Sequence, residues 1–481
     1  MSNLLASLTS AGGTLQAYGQ VLETAQNNVS NASTPGYAKQ ELQLIALPFD
    51  PLVGTTGGVG VGQMVSSRDQ YADQAVRTQE TGLGYQTQMT STLSALQSSF
   101  DISGNQGIPL ALNNLFQSFS AWGATPDNAA ARQTVLQDAA TLAQTFQQTA
   151  SQVSAQASNT EQQIGQTVGQ INQLVTQLQG YNVLEMQGNK NDAGLSAQMN
   201  STLDQLSSLA NVTATFQPDG TVSLMLNGQT QLLAEDKQYQ ITSSLYMPQN
   251  PPPTNTNAPG DMRIQGPDGT DITAQTVGGQ LGALLNLRNT VIPSITGDAY
   301  QAGSLNIMGK QFADRVNTLL TSGNISDGPP PVPGVALFTY DAANATNTAA
   351  SLAVDPTVTP DQLAAIGTGP PEVSNGVPLA LSALASPVQD ADKINGQSYS
   401  QYFGQIAGNV GALLSTATDE QSVQQSLVSQ AQTLQQQYEG VSLDEEATIL
   451  MQFQRAYDAT SRFITVLDNL TEDVVNMLST T

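Results

Sequence analysis

Residues 4–29 read LLASLTSAGGTLQAYGQVLETAQNNV, and this stretch decides the fold. Leu4, Leu8, Ala11, Leu15, Tyr18, Leu22, Ala25 and Val29 recur at alternating steps of four and three, the stripe by which one helix packs along another in a coiled coil. The far end of the chain repeats the pattern through Ile449, Phe453, Ala456, Thr460, Phe463, Leu467, Leu470, Val474 and Met477, with Thr460 as its polar lapse. The chain must travel out from the first stripe and back to the second. The two are therefore expected to pair antiparallel, making a stalk that carries the middle of the protein as its head. Leu450, Tyr457, Ile464 and Leu478 lie beside the second stripe and widen its apolar face, so that it can touch more than one neighbour. Gly12, Gly13 and Gly19 each cost about 1 kcal/mol relative to Ala inside a helix. The ends are accordingly expected to be mobile in the monomer and to order when several copies pack side by side.

Composition sets the outer limits. A chain of 481 residues can build two to four domains. Charged residues are 11% of it, against about 25% in an average protein, and Gln, Asn, Ser and Thr take their places on helix faces. The formal charge of −25, from 38 acids and 13 bases without a basic run, argues against nucleic acid or an anionic membrane as partner. The absence of Cys removes disulfides, thiolate metal sites and a Cys nucleophile, and the absence of His removes the commonest general base and metal ligand. No cofactor or metal is expected. Met1 to Gly13 lack the charged and continuously apolar regions of a secretory signal peptide, and no run of 18 apolar residues suggests membrane insertion. That leaves the cytosol, or export by another route, for which a chain without Cys is well suited.

Between the ends the chain reads as mainly α, an elongated multi-domain rod with a long-helix bundle and an inserted small antiparallel β domain. The first helix stops at Ser33, Thr34, Pro35 and Gly36, because Pro35 has no amide to donate and biases Thr34 away from helix. Tyr37 to Arg68 reads as extended loop with short strands, Tyr71 to Phe100 as helix, and Asp127 to about Leu178 as a helix about 75 Å long. Alternation around the turns Pro218-Asp219-Gly220 and Asn227-Gly228 marks strands between Asn211 and Thr273, with Pro251, Pro252 and Pro253 in a loop. Helix resumes from Gln280 to Thr321 with a kink or break expected at Pro293. Pro329, Pro330, Pro331 and Pro333 mark another loop. The last long helices run from Tyr399 to Tyr438, interrupted by Gly404, Gly408 and Gly411, and from Ser442, whose hydroxyl with Glu445 forms a capping box. The expected division is 1–35 with 441–481 as a terminal coiled-coil domain, 36–210 with 274–440 as a helical rod domain, and 211–273 as the β insertion.

Two motifs carry a family resemblance. Asn27 to Gln40, including Asn28, Asn31, Pro35, Gly36 and Tyr37, resembles the signature that closes the first helix of bacterial flagellar rod, hook and hook-associated proteins. Gly440 to Ala447, with Leu443, Asp444, Glu445 and Glu446, followed by Phe453 to Tyr457, is similar to the C-terminal signature of the same group. Gly278 to Arg288, Arg315-Val316-Asn317 and Phe338-Thr339-Tyr340 resemble the hook-associated protein 1 family of hook–filament junction proteins, although Thr318, Leu319 and Leu320 stand where that family often has a His. The resemblance implies a structural protein exported through the flagellar type III apparatus and located outside the cell, at the hook–filament junction. It implies a ring built by self-assembly through the terminal helices. It also implies the hook protein and a second junction protein as neighbours, and an export chaperone on the C-terminal helix.

Other readings compete. A hook or rod protein shares both motifs, whereas a type III secreted coiled-coil translocator shares only the coiled-coil ends. An enzyme would need a site in the inserted head, using carboxylates such as Asp261 or Asp271, but no His, Cys or convergent motif supports one. Asp444, Glu445 and Glu446 read as helix-start residues rather than an acid–base pair. Asp219-Gly220 and Asp268-Gly269 read as turns, because the ligand spacing of a calcium loop is missing. Trp122 reads as a packing residue at a helix junction.

Overall fold

The computed structural model describes residues 2–50, 55–101, 104–188, 192–249 and 258–479. The Pro251–Pro253 loop lies outside them. Helix α1 (Ser2–Asn31) ends at the Pro-Gly turn and feeds a long hairpin of β1 (Gln40–Ala46) and β4 (Val59–Ser66), with Gln40 opposite Ser66 and Ala46 opposite Val59. Short β2 (Phe49–Asp50) and β3 (Thr55–Thr56) extend it. The hairpin is more regular than the extended loop expected from its Gly content.

Helices α2 (Gln70–Gln97), α3 (Gly107–Ala124), α4 (Ala129–Met186) and α5 (Ala193–Leu209) follow. The 58 residues of α4 make it about 87 Å long. Its cap explains its start, since the Asn128 side chain accepts from the amides of Ala130 and Ala131. Strands β5 (Val212–Phe216), β6 (Val222–Leu226), β7 (Thr230–Ala234) and β8 (Lys237–Gln238) form an antiparallel meander, while β9 (Thr242–Tyr246) pairs separately with β10 (Asp261–Gln265). There are thus two sheets where one was expected. Asn227 and Gly228 turn β6 into β7 with φ of 48° and 66°, the positive values that Asn and Gly adopt most readily. Asp219 and Asp268 accept from the amides and hydroxyls of Thr221 and Thr270, which makes them turn residues.

Helix α6 (Gly279–Asn286) runs through a π-helical turn (Leu287–Val291) into α7 (Ile292–Thr296). The kink or break expected at Pro293 takes the form of this π-helical turn just before it, and the helix runs on to Gly297, whose φ of 86° ends it. After α8 (Ser304–Thr321) come β11 (Asn324–Ser326), β12 (Val332–Pro333), β13 (Phe338–Thr339), α9 (Thr348–Ser351), β14 (Ala353–Val354) and α10 (Gly376–Ala383). Helix α11 (Tyr399–Glu439) runs uninterrupted, contrary to expectation. Gly404 and Gly408 have open space at the Cβ position, so they cost helix propensity without breaking the helix. Helix α12 (Leu443–Ser479) closes the chain.

Two apolar cores share α4. The first gathers Phe116, Phe119 and Trp122 of α3, Phe146 of α4, Phe312 of α8, and Tyr399 and Phe403 of α11. The second joins Ile164, Ile171 and Leu178 of α4 to Leu203 and Leu206 of α5, Leu224 and Leu233 of the meander, and Leu281 and Leu284 of α6. The strands are therefore seated on helices. Trp122 is fully buried and donates its indole N–H to the Pro126 carbonyl at 3.1 Å, as a packing residue at a helix junction should. Helix α5 crosses α2 closely: a Cβ on Gly84 would run into the Ser208 carbonyl oxygen. Gly84→Ala is expected to push these helices apart and to destabilise the protein by about 1–3 kcal/mol, read as a lower denaturant midpoint; an unchanged midpoint would count against this packing.

Candidate assembly interface and the joint behind it

Helices α1 and α12 pack against each other in opposite directions. The Tyr18 ring meets Phe453 edge to face at 5.5 Å in mid-pair, and the start of α12 lies beside the residues that follow α1. The hairpin covers a second flank of α1. Thr14 Oγ1 accepts from the Val59 amide at 3.1 Å, and Ser10 Oγ donates to the Gly57 carbonyl. This changes which positions are deepest. Ala11, Thr14, Ala17, Val21, Ala25 and Asn28 are buried, whereas Leu4, Leu8, Leu15, Tyr18 and Leu22 are half-buried and Val29 is exposed.

On α12 the covered line runs through Leu450, Phe453, Tyr457, Thr460, Ile464, Leu467 and Val474. Ile449 and Ala456 are half-buried at its edge. Leu467 is 8% exposed, but Phe463, Leu470 and Met477 are 52%, 47% and 69% exposed. The stripe read from the sequence thus straddles two seams. One is occupied by α1. The other, Ala459, Phe463, Val466 and Leu470, keeps the same four-and-three spacing and is exposed along its length.

The motif residues build the joint between this pair and the rest of the protein. Asn28 is buried in the last turns of α1. Its side-chain carbonyl accepts from the Tyr37 hydroxyl at 2.8 Å and the Gln40 amide at 3.0 Å, and its Nδ2 donates to the Gln40 carbonyl at 2.9 Å. Asn31 instead caps locally, donating to the Asn27 carbonyl and accepting from Thr34 Oγ1. Gly36 needs its φ of 73°, and a Cβ there would run into the Ala197 carbonyl of α5. Pro35 and Leu443 are exposed, as is Asp444. Burial and the Glu446 charge raise the Tyr37 phenol above its ordinary pKa.

Lys39, inside the first motif, is the hub. Its ammonium lies 3.1 Å from Glu445, 3.3 Å from Glu41 and 3.8 Å from Glu446. Burial by itself would lower its pKa, but the bonds to Glu445 and Glu41 outweigh that and raise it. The expected capping box is half formed: Glu445 N–H donates to Ser442 Oγ at 3.4 Å, while the Glu445 carboxylate turns to Lys39. Glu439, the last residue of α11, holds three segments. Its carbonyl accepts from Lys39 N–H at 2.9 Å and from Ser67 Oγ at 3.4 Å, and its carboxylate accepts from the Asp69 amide at 2.9 Å. Arg68 pairs with Asp73 at 3.1 Å and with Glu439 at 3.7 Å, and Arg77 reaches Asp73 and Asp204. The three bases stand apart in the sequence, at positions 39, 68 and 77, and come together only in the fold.

The carboxylates considered for an enzyme do not converge. Asp261 opens β10, whereas Asp271 bridges to its last residue, Gln265, which places the two about 13 Å apart. Asp271 pairs with Arg263 at 3.0 Å and accepts from Thr273. Among the described residues no acidic cluster has the makings of a metal site, and no helix is long and apolar enough to cross a membrane.

Known proteins match this architecture. The family model described as "Flagellar hook-associated protein FlgK helical domain" matches residues 93–338, and that of the "Flagellar basal body rod FlgEFG protein C-terminal" matches residues 435–477. Flagellar hook-associated protein 1 of Bacillus subtilis is 25% identical, with 99% of each chain covered. Its namesake in Escherichia coli is 22% identical, over 99% of this chain and 100% of the other. Among solved structures, the flagellar hook junction protein FlgK from Burkholderia pseudomallei shares the fold with a TM-score of 0.63 at 15% identity, covering 77% of this chain and 100% of that one.

Proposed function

This chain belongs to the flagellar hook-associated protein FlgK family, and from that membership we propose that its copies form the junction between hook and filament by packing their terminal helix pairs side by side. The observation that carries this reading is the second seam of α12. A soluble helix gains nothing from four apolar or small positions at steps of four and three facing water, and gains much when a neighbour covers them. The protein is a structural component, as its relatives are. The match to the rod-protein C-terminus is confined to residues 435–477, the segment in which the axial proteins resemble one another, and so does not favour a rod protein.

The finer parts of the proposal rest on the family. The subunit leaves the cell through the flagellar type III apparatus, which suits a chain with no Cys, and it works outside the cell. A chaperone covers α12 before export, which suits an apolar seam that would otherwise promote premature association. The hook protein and a second junction protein are its neighbours. Residues 1–35 and 441–481 act as the assembly unit, 36–210 and 274–440 as the helical unit, and 211–273 as a β unit seated on it. Deleting the gene should leave hooks intact and release unattached filament subunits into the medium. Intact filaments in that strain would contradict the junction role.

A further inference from the structure

Three Asn-Gly steps occur in the chain, Asn227-Gly228, Asn375-Gly376 and Asn395-Gly396. Such a step can react with itself. The backbone nitrogen of the Gly attacks the Asn side-chain carbonyl carbon, the new C–N bond closes a succinimide ring, and the side-chain nitrogen leaves as ammonia. Water then opens the ring at one carbonyl or the other, giving Asp or a β-linked Asp whose main chain is longer by a carbon. Gly favours the attack because no Cβ shields its nitrogen. The peptide between the two residues must rotate to bring the nitrogen to the carbon, so the fold sets the rate through whatever holds that peptide and that side chain.

Two of the three steps are held. Asn227 is half-buried, its side-chain oxygen accepts from Asn211 Nδ2 at 2.9 Å, its N–H donates to the Asn211 carbonyl at 2.7 Å, and its turn is closed by the β6–β7 ladder. Asn375 donates through Nδ2 to the Gly123 carbonyl at 2.8 Å, and the Gly376 N–H, whose nitrogen would have to attack, donates to the Val373 carbonyl at 2.9 Å. The third step is loose. Asn395 (φ 50°) and Gly396 (φ 79°) form the tip of a turn closed by the two bonds between Ile394 and Gln397, both 2.9 Å. Both tip residues are exposed, a Cβ on Gly396 would meet nothing within 4 Å, and among the described residues neither the Asn395 side chain nor the Gly396 N–H has a hydrogen-bond partner.

We propose that Asn395 is a self-modification site, the position at which the folded chain converts Asn to Asp and β-linked Asp. The β-linked product matters more than the added charge. Its extra carbon takes Ile394 and Gln397 out of register, and both are tied to the core: Ile394 is fully buried, and Gln397 precedes Ser398, whose hydroxyl caps α11 by accepting from the Gln401 amide at 3.2 Å. Tyr399, Tyr402 and Phe403, in the first turns of α11, lie in the first core, and on the other side of the turn Asp392 pairs with Arg315 of α8 at 2.6 Å. Modification at an exposed tip therefore loosens the start of α11. The reaction needs only this chain and water, so it goes beyond the junction reading and can fail without it.

The test keeps the full-length protein at about pH 8 and about 37 °C, either folded or unfolded in guanidinium chloride, and follows by peptide mass mapping the mass gained as each side-chain amide becomes a carboxyl. In the folded protein Asn395 should convert at least about fivefold faster than Asn227 and Asn375, and in the unfolded chain the three should convert at similar rates. Equal rates at the three sites in the folded protein, or a lead for Asn227 or Asn375, overturns the proposal. A lead for Asn395 that is as large in the unfolded chain also overturns it, because the cause would then lie in the neighbouring residues and not in the fold. Once Asn395 alone has converted, the protein should show a lower denaturant midpoint, whereas freshly prepared Asn395→Asp, which carries the charge without the extra carbon, should keep the parent's. A converted protein with the parent's midpoint overturns the link to α11.

Discussion

Replacing Phe463 and Leu470 together by Asp is expected to abolish incorporation at the hook end while leaving the subunit folded. Both side chains are about half exposed and lie off the line that faces α1, so the monomer loses little when they change. In an assembly that covers the second seam, each of these half-exposed side chains contributes roughly 0.7–1.5 kcal/mol, half the value for full burial. The pair therefore corresponds to roughly tenfold to a hundredfold in affinity per contact, before the cost of burying a carboxylate is added. Circular dichroism of the purified variant should match the parent, and cells carrying it should release filament subunits as a deletion strain does. Leu467→Asp provides the contrast. Leu467 is buried against the partner helix, so its change should lower the helix content of the monomer itself.

Phe312→Ala is expected to destabilise the helical core by about 3–5 kcal/mol, the usual range for emptying a buried Phe. Phe312 is fully buried on α8 and touches three other rings: Tyr399 edge to face at 5.1 Å, Phe338 at 5.9 Å and Phe116 at 6.1 Å. These rings come from α3, α8, β13 and α11, elements far apart in the sequence, so one cavity weakens contacts among four segments. The Tyr399 hydroxyl is pushed up to about 12 by burial and then by Asp392, which marks how dry this region is. Chemical denaturation should show the loss as a lower midpoint. A change under about 1 kcal/mol would mean that the core is looser than this packing implies.

Periodicity was a good guide wherever one face of a helix met one neighbour. The terminal stripes, α2, α4 and the meander with its Asn227-Gly228 turn were all legible for that reason. Helix α3 was missed although Ile108, Leu112, Leu115, Phe119 and Trp122 recur at steps of four and three and are all fully buried. Gly107 and Pro109 at its start are poor formers of a helix interior, yet Pro is at home in a first helical turn. Helix α5 was missed because its stripe is short and interleaved with Ser. Its cap, Asp192 accepting from the Gly194 and Leu195 amides, was the available signal. On α12 the stripe could be read but not divided. Two seams one position apart look like a single broad face until the partner helix shows which residues it covers. The joint was least legible, since it assembles residues 28–39, 67–77, 204 and 439–446, and no local pattern announces that a scarce Lys will meet carboxylates from the other end of the chain.

The second seam can be probed directly with a single Leu470→Cys in a chain that has no other Cys. Maleimide should modify this residue quickly in the purified subunit and at least about tenfold more slowly in isolated hook–filament junctions, because a neighbouring copy then covers it. Equal modification rates in the two states would show that the exposed face of α12 is not where the copies meet.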